Sequence, residues 1–273
     1  MSAGDLRAAV LAPLRRRGTT VLMPPEAFGG GNLLYFWLQA AARRARGEAA
    51  AVRSTARSAE WAAVLAVDEL AVRPEDVRFT SPREAHSAYQ RLGTDFTVEE
   101  LGAFLDRHVL GGAFAGLVAA SPPVADLTIN VRRGDYYSVP AFRGRYAFDV
   151  VEYVGVALAA ARERAEVRSV LLVSDDLDWC RLKLARVLDG IDVRVPAPGT
   201  LATAQLALLA ASPRLVLANS TFSYWGGYLS AHLHRTAEVH APWFHSREWD
   251  GGAATQLHPR WSVIRDLPGG WDG

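Results

Sequence analysis

From residue 126 onward the chain repeats one pattern: a short apolar, β-branched run, a polar or hydroxyl-bearing turn, then a helical stretch. Strands follow at Asp126 to Val131, Ser169 to Val173, Ile191 to Val195 and Arg214 to Leu217. Helical patterns separate them at 148–166, from Asp176 through Leu188, at Leu201 to Ala211, and from Tyr224 to about Leu233. Strands alternating with helices cannot close as hairpins. They pair in parallel through helical crossovers, which predicts an α/β sheet covered on both faces. The Gly- and Trp-rich stretch Gly251 to Gly273 reads as irregular.

The N-terminal part opens with a predicted short helix at 5–17, closed by Arg15-Arg16-Arg17-Gly18. Thr19 to Met23 reads as a strand before Pro24-Pro25. Phe28-Gly29-Gly30-Gly31-Asn32 then makes a glycine turn into a helix over Leu33 to Ala42, one βα step of a parallel sheet. Residues 45–120 read as mostly helical, with a helix over Ser58 to Val67 and a capping box at Thr97-Val98-Glu99-Glu100. Ser121-Pro122-Pro123 breaks this region and divides the chain into domains 1–122 and 123–273.

Composition removes several classes of function. Thirty basic residues stand against 29 acidic ones, so no global field favours nucleic acid or an anionic membrane. Lys183 is the one lysine, so a phosphate site would be built from arginine and backbone N–H groups. Cys180 is the one cysteine, which excludes an intrachain disulfide and a Cys-based zinc site. The histidines His232, His234, His240 and His245 lack metal-type spacing and read as surface or core residues. The longest apolar stretch, Leu201 to Ala211, is too short to span a bilayer, and Met1 to Arg17 lacks the apolar region of a signal peptide. The expectation is a cytoplasmic protein, with peripheral membrane association as an option.

Three polar clusters fall where strands end and helices begin, the ligand-binding edge of an open α/β sheet. Asn130-Val131-Arg132-Arg133-Gly134-Asp135 offers two guanidinium forks for phosphate oxygens, a glycine that permits close approach and a carboxylate able to hold an arginine. Read alone, it is equally a solvated surface loop. Ser174-Asp175-Asp176 can accept N–H bonds from a nucleobase or bind a ribose, or can simply cap a helix. Asn219-Ser220-Thr221-Phe222-Ser223 places hydroxyls and N–H groups at a helix start, an anion site or an ordinary cap. The paired glycines and aromatics after it exceed what a cap needs. The Phe28 to Asn32 turn has neither dinucleotide nor Walker spacing and is a weak signal alone.

In this order the clusters resemble the α-1,2-fucosyltransferases, glycosyltransferase family 11. The motifs are a glycine loop with G-N, then V-R-R-G-D-Y, S-D-D-L-D-W-C, and A-N-S-T-F-S-Y-W-G, from about Val21 to about Leu229. The resemblance implies a GT-B-type fold, two Rossmann-like domains with parallel sheets facing a cleft. The first would be the acceptor side and the second would bind the GDP-sugar. It implies metal-independent, inverting transfer of L-fucose from GDP-fucose to the 2-hydroxyl of a galactose-type acceptor, with no cofactor. Its partners would be the donor and a glycan or glycoside. Arg132 would grip the β-phosphate with Arg133 beside it, Asp175 would read guanine, and Ser220, Thr221, Phe222 and Ser223 would hold the pyrophosphate. Gly29, Gly30, Gly31 and Asn32 would approach donor or acceptor from the other domain.

Departures from the family pattern are Asn130 in place of a histidine, Gln205 in place of an aspartate and Tyr224 in place of a tryptophan. They leave open a different GDP-hexose, or a nucleotide- or glycan-binding module without catalysis. In the expected mechanism Arg132 neutralises the charge that builds on the departing diphosphate. Asp135 and Glu26 are the candidate bases, and Asp135 is also a candidate partner for a loop arginine.

Overall fold

The computed structural model describes residues 18–85 and 89–271, with Asp250 by its backbone alone. The predicted helix at 5–17 lies outside the described residues. Chain contacts divide the protein into two compact units, Met1–Ala115 and Gly116–Gly273. Each carries its own all-parallel sheet.

In the first unit β1 (Thr20–Leu22) leads through the glycine turn into α1 (Gly30–Ala45). This helix is apolar around most of its circumference, and Leu33 through Ala40 are all buried, as befits a helix enclosed by its own unit. Next come β2 (Ala50–Arg53), α2 (Ser58–Ala62), β3 (Ala71–Val72), β4 (Arg83–Glu84) and α3 (Val98–Phe104), and α4 (Phe114–Ala119) runs across the division at Ala115. The sheet order is β3-β2-β1-β4, so the connections change direction at β1 and the glycine turn stands at that change. The capping box forms as expected: Glu100 N–H donates to Thr97 Oγ1 at 3.2 Å and Thr97 N–H donates to Glu100 Oε2 at 3.0 Å.

Three strands interrupt the stretch expected to be mostly helical. Alanine-rich β2 is a helix former by propensity, yet its Ala50–Val52 are buried and paired with Thr20–Leu22, and burial overrides propensity. β3 and β4 are two residues long and have no period to read. The helix expected at Ser58 to Val67 ends at Ala62.

The second unit contains β5 (Leu127–Val131), α5 (Gly134–Ser138), α6 (Pro140–Tyr146), α7 (Val150–Arg164), β6 (Ser169–Ser174), α8 (Leu177–Lys183), β7 (Asp192–Arg194), α9 (Ala202–Ala211), β8 (Arg214–Val216), α10 (Thr221–Leu233), β9 (Glu238–Pro242) and β10 (Ser262–Ile264). Its sheet runs β10-β9-β8-β5-β6-β7, the strand order of a dinucleotide-binding sheet with its reversal between β5 and β8. All five residues of β5 are buried, Thr128 and Asn130 included, as in a strand covered on both faces. The polar segment after β5, readable from sequence as a surface loop, is largely helical in α5. α8 stops at Lys183 instead of reaching Leu188. β9 and β10 add two strands where none was expected, β10 inside the stretch read as irregular.

The paired glycines of α10 serve packing. A Cβ on Gly226 would lie 2.7 Å from Leu209 Cβ of α9, and one on Gly227 would lie 2.6 Å from the Trp261 indole. Gly155 in α7 has open space around its missing Cβ. Alanine in a helix interior is favoured over glycine by about 0.5–1 kcal/mol, whereas overpacking costs about 1–3 kcal/mol. Gly155→Ala is therefore expected to raise the denaturant midpoint and Gly226→Ala to lower it, both read by urea unfolding followed by circular dichroism.

Candidate functional site

The three polar clusters emerge side by side. β5 pairs with β6 through Val131↔Ser174 and with β8 through Ile129↔Val216, all parallel. The residues that follow, Arg132, Asp175 and Asn219, therefore leave the same carboxyl edge at the strand-order reversal.

Asp175 ties two of these tips together. One carboxylate oxygen accepts the Arg133 backbone N–H at 2.7 Å and the other pairs with Arg132 Nη1 at 2.7 Å. Asp135 holds the other arm of the same guanidinium, with Nη2 to Oδ1 at 2.5 Å. Gly134 makes room for this arrangement, since a Cβ there would come within 2.4 Å of Asp175 Oδ2. The neighbouring arginine is built differently. Arg133 lies between two rings, its guanidinium carbon 3.7 Å from the Tyr137 centroid and 3.9 Å from that of Trp179. Its side chain is 15% exposed against 35% for Arg132, so Arg132 is the fork a ligand can reach. Arg133 acts as a packed strut, with Asp176 3.9 Å from its Nε.

Asp176 is the helix cap that its residue type allows. It accepts the Trp179 N–H at 3.2 Å while its own N–H donates to Ser174 Oγ at 3.0 Å. Buried Asn130 donates to the Val173 carbonyl at 2.9 Å, fastening β5 to β6.

At the third tip Ser220 occupies the cap position of α10 in extended conformation, and its side chain makes no capping bond. The ladder of α10 begins with Tyr224 N–H donating to the Ser220 carbonyl at 3.0 Å. The N–H groups of Thr221 and Ser223 therefore precede that ladder, at the positive end of the helix dipole. Thr221 and Phe222 are partly exposed. Ser223 is fully buried and its hydroxyl accepts the Ala218 N–H at 2.8 Å, so this side chain shapes the turn. Asn219 is buried as well; its amide donates to the Tyr146 carbonyl at 2.9 Å and to the His245 carbonyl at 3.1 Å.

A run of rings joins the first tip to the third. Arg132 lies 5.2 Å over Tyr136, Tyr136 stacks on Tyr146 at 4.3 Å, and Tyr146 meets His245 at 6.0 Å. Tyr224 of α10 bonds through its hydroxyl to His245 Nδ1 at 3.0 Å. Sequence reading assigned no role to Trp179, Tyr137, Tyr146 or His245. Trp179 stands inside the quoted S-D-D-L-D-W-C motif and two tyrosines follow the arginines, which was the available signal.

In the first unit, Gly30 is a packing position: a Cβ there would lie 2.0 Å from the Trp61 indole. Gly29 has open space, Gly31 is buried within α1, and Asn32 Oδ1 accepts from Gln90 Nε2 at 3.5 Å. Glu26 pairs with Arg53 at 2.8 Å. Gln205 of α9 donates to the Thr200 carbonyl at 3.0 Å. Among the described residues no group of three His, Cys, Asp or Glu side chains is placed to hold a metal ion, and no helix is long and apolar enough to cross a membrane.

Comparison with known proteins adds independent observations. The family model described as Glycosyl transferase family 11 matches residues 99–250. An alpha-1,2-colitosyltransferase of Escherichia coli is 26% identical over 129 residues, 45% of this chain and 42% of the relative. The match thus spans less than half the length of that relative. A structure of POFUT1 in complex with GDP aligns at TM-score 0.48 and 10% identity, covering 81% of this chain and 98% of that one. A mutant of Arabidopsis thaliana FUT1 in complex with GDP aligns at TM-score 0.46 and 13% identity, covering 88% and 74%.

The ring run also makes stability depend on pH. Burial lowers His245 from 6.5 to about 4. Between those values the unfolded chain binds a proton that the folded chain refuses. The contribution is complete above pH 6.5 and declines as pH falls toward 4. Acidification from pH 7 to pH 5 is expected to remove about 2 kcal/mol from the wild type through this group. In His245→Gln, which keeps an acceptor for Tyr224, that part of the pH dependence should vanish from urea titrations.

Proposed function

We propose, from the premise that this chain belongs to glycosyl transferase family 11, that it is an inverting glycosyltransferase moving L-fucose from GDP-fucose to the 2-hydroxyl of a galactose-type acceptor. The observation that carries the reading is the placement of Arg132, Asp175 and the start of α10 at neighbouring strand tips where the sheet order reverses. A partly exposed guanidinium at one strand tip and a helix N-terminus fed by the neighbouring strand are together suited to a diphosphate.

In this reading the diphosphate oxygens replace a carboxylate on Arg132, and the N–H groups at the start of α10 receive the remaining negative charge. As the bond from the sugar C1 to the β-phosphate oxygen breaks, charge grows on that oxygen. Donors fixed in advance then stabilise the transition state more than the ground state. No metal is assigned a part. The acceptor hydroxyl attacks C1 from the opposite face and gives its proton to a base, for which Asp135, released from Arg132, is the candidate. Asp175, keeping the Arg133 N–H and its contact with Arg132, is proposed to offer its remaining acceptor capacity to the guanine edge.

A second reading, transfer of a different deoxyhexose, draws on the relative named for colitosyl transfer and on Asn130. Incubation with GDP-fucose and with other GDP-hexoses, followed by measurement of released GDP, separates the two. Arg132→Ala is expected to lose roughly 3 kcal/mol of transition-state stabilisation, a hundredfold or more in turnover, with an unchanged circular dichroism spectrum. Turnover within a few-fold of wild type would remove Arg132 from the mechanism. Thermal stabilisation by GDP that exceeds that by UDP or ADP is expected of the wild type.

A further inference from the structure

Among the described residues, two aromatic side chains stand out as exposed large hydrophobics, Phe79 and Trp249. Trp249 is 40% exposed and follows β9, so it belongs to the same carboxyl edge as the three polar clusters. Its loop is not slack. Phe244 and Ala253 form an antiparallel bridge, His245 N–H donates to the Gly252 carbonyl at 2.7 Å, and Gly252 N–H donates to the Trp249 carbonyl at 2.6 Å. Gly251 and Gly252, at φ 68° and 100°, supply the left-handed conformations that this tight return needs. Trp249 thus sits near the tip of a hairpin-like loop.

That tip is braced to the nucleotide edge. Glu248 pairs with Arg145 of α6 at 2.9 Å, Arg247 N–H donates to the Arg145 carbonyl at 3.0 Å, and the indole lies 5.4 Å from the His245 ring. The Asn219 amide closes the connection by bonding to both the α6 end and the His245 carbonyl. Within the segments that carry this loop, the buried Arg145 Nε and Ser246 Oγ find no hydrogen-bond partner among the described residues.

We infer that Trp249 is a saccharide-stacking platform of this site. One exposed indole is far smaller than the several hundred Å² patches that mark protein interfaces. Its flat apolar surface, next in the chain to the partly exposed Arg145–Glu248 ion pair, matches a pyranose ring, which has one C–H face and a girdle of hydroxyls. The ring stacked there comes from the donor sugar or from an acceptor. This inference rests on the nucleotide reading for its place in the reaction, and on the loop geometry alone for its chemistry.

The test compares wild type, Trp249→Ala and Trp249→Phe. Calorimetry gives affinities for GDP and GDP-fucose. Saturation-transfer NMR on GDP-saturated protein reads contact with galactose, lactose and N-acetylglucosamine. If the donor sugar stacks, Trp249→Ala weakens GDP-fucose binding about tenfold, leaves GDP binding unchanged, and Trp249→Phe recovers most of the loss. If an acceptor ring stacks, the saccharide contact signal is lost in Trp249→Ala and kept in Trp249→Phe. Equal GDP-fucose to GDP ratios together with equal or absent saccharide signals in wild type and Trp249→Ala overturn the inference. A wild-type protein that binds neither GDP nor GDP-fucose overturns the nucleotide reading instead. The saccharide measurement repeated without nucleotide then decides on Trp249 by the same criterion.

Discussion

The Asp175 carboxylate is the interaction on which the site depends. It accepts a backbone N–H from the tip of β5 and pairs with the side chain of the residue before. One group at the end of β6 therefore fixes both the path of the neighbouring chain and the aim of its cation. With Asp135 on the other side, Arg132 is held from two directions and is only partly screened by solvent. A long flexible side chain would otherwise lose up to about 2 kcal/mol of rotamer entropy on engaging a ligand, and this cage removes part of that loss beforehand.

The same economy recurs at the other tips. Asn219 looked like a ligand-binding residue by type, yet its amide is spent on two main-chain carbonyls. Ser223 spends its hydroxyl on the Ala218 N–H, and Asp176 caps α8. These residues build the shape of the edge, while Arg132 and the first turn of α10 present its charge. The motif thus mixes groups that touch a ligand with groups that hold the backbone where such contact is possible.

Much of this was legible in the second unit because its signals are long. β6, α7 and α9 are continuous apolar or helical runs with polar punctuation, β5 is a β-branched run, and several family motifs fall at strand ends. The first unit was harder. Two-residue strands such as β3 carry no periodicity, and the Ala-Ala-Val-Arg of β2 favours a helix until pairing with β1 decides otherwise. The glycines divided in a way that composition could not show. Gly134 yields space to a carboxylate, whereas Gly30, Gly226 and Gly227 yield it to Trp61, Leu209 and Trp261. Trp179, inside one motif, and Tyr137, just past another, flank Arg133 but needed three dimensions to acquire a purpose.

Gly226 and Gly227 seat the backbone of α10 directly on Leu209, Leu217 and Trp261, with no side chain of its own between. A helix seated that closely has no alternative register to slip into, because any axial shift would drive its main chain into those neighbours. Its positive end is a fixed point before any anion arrives. In the proposed reading a diphosphate meets that end already in place, and only the side chains around Arg132 have to rearrange.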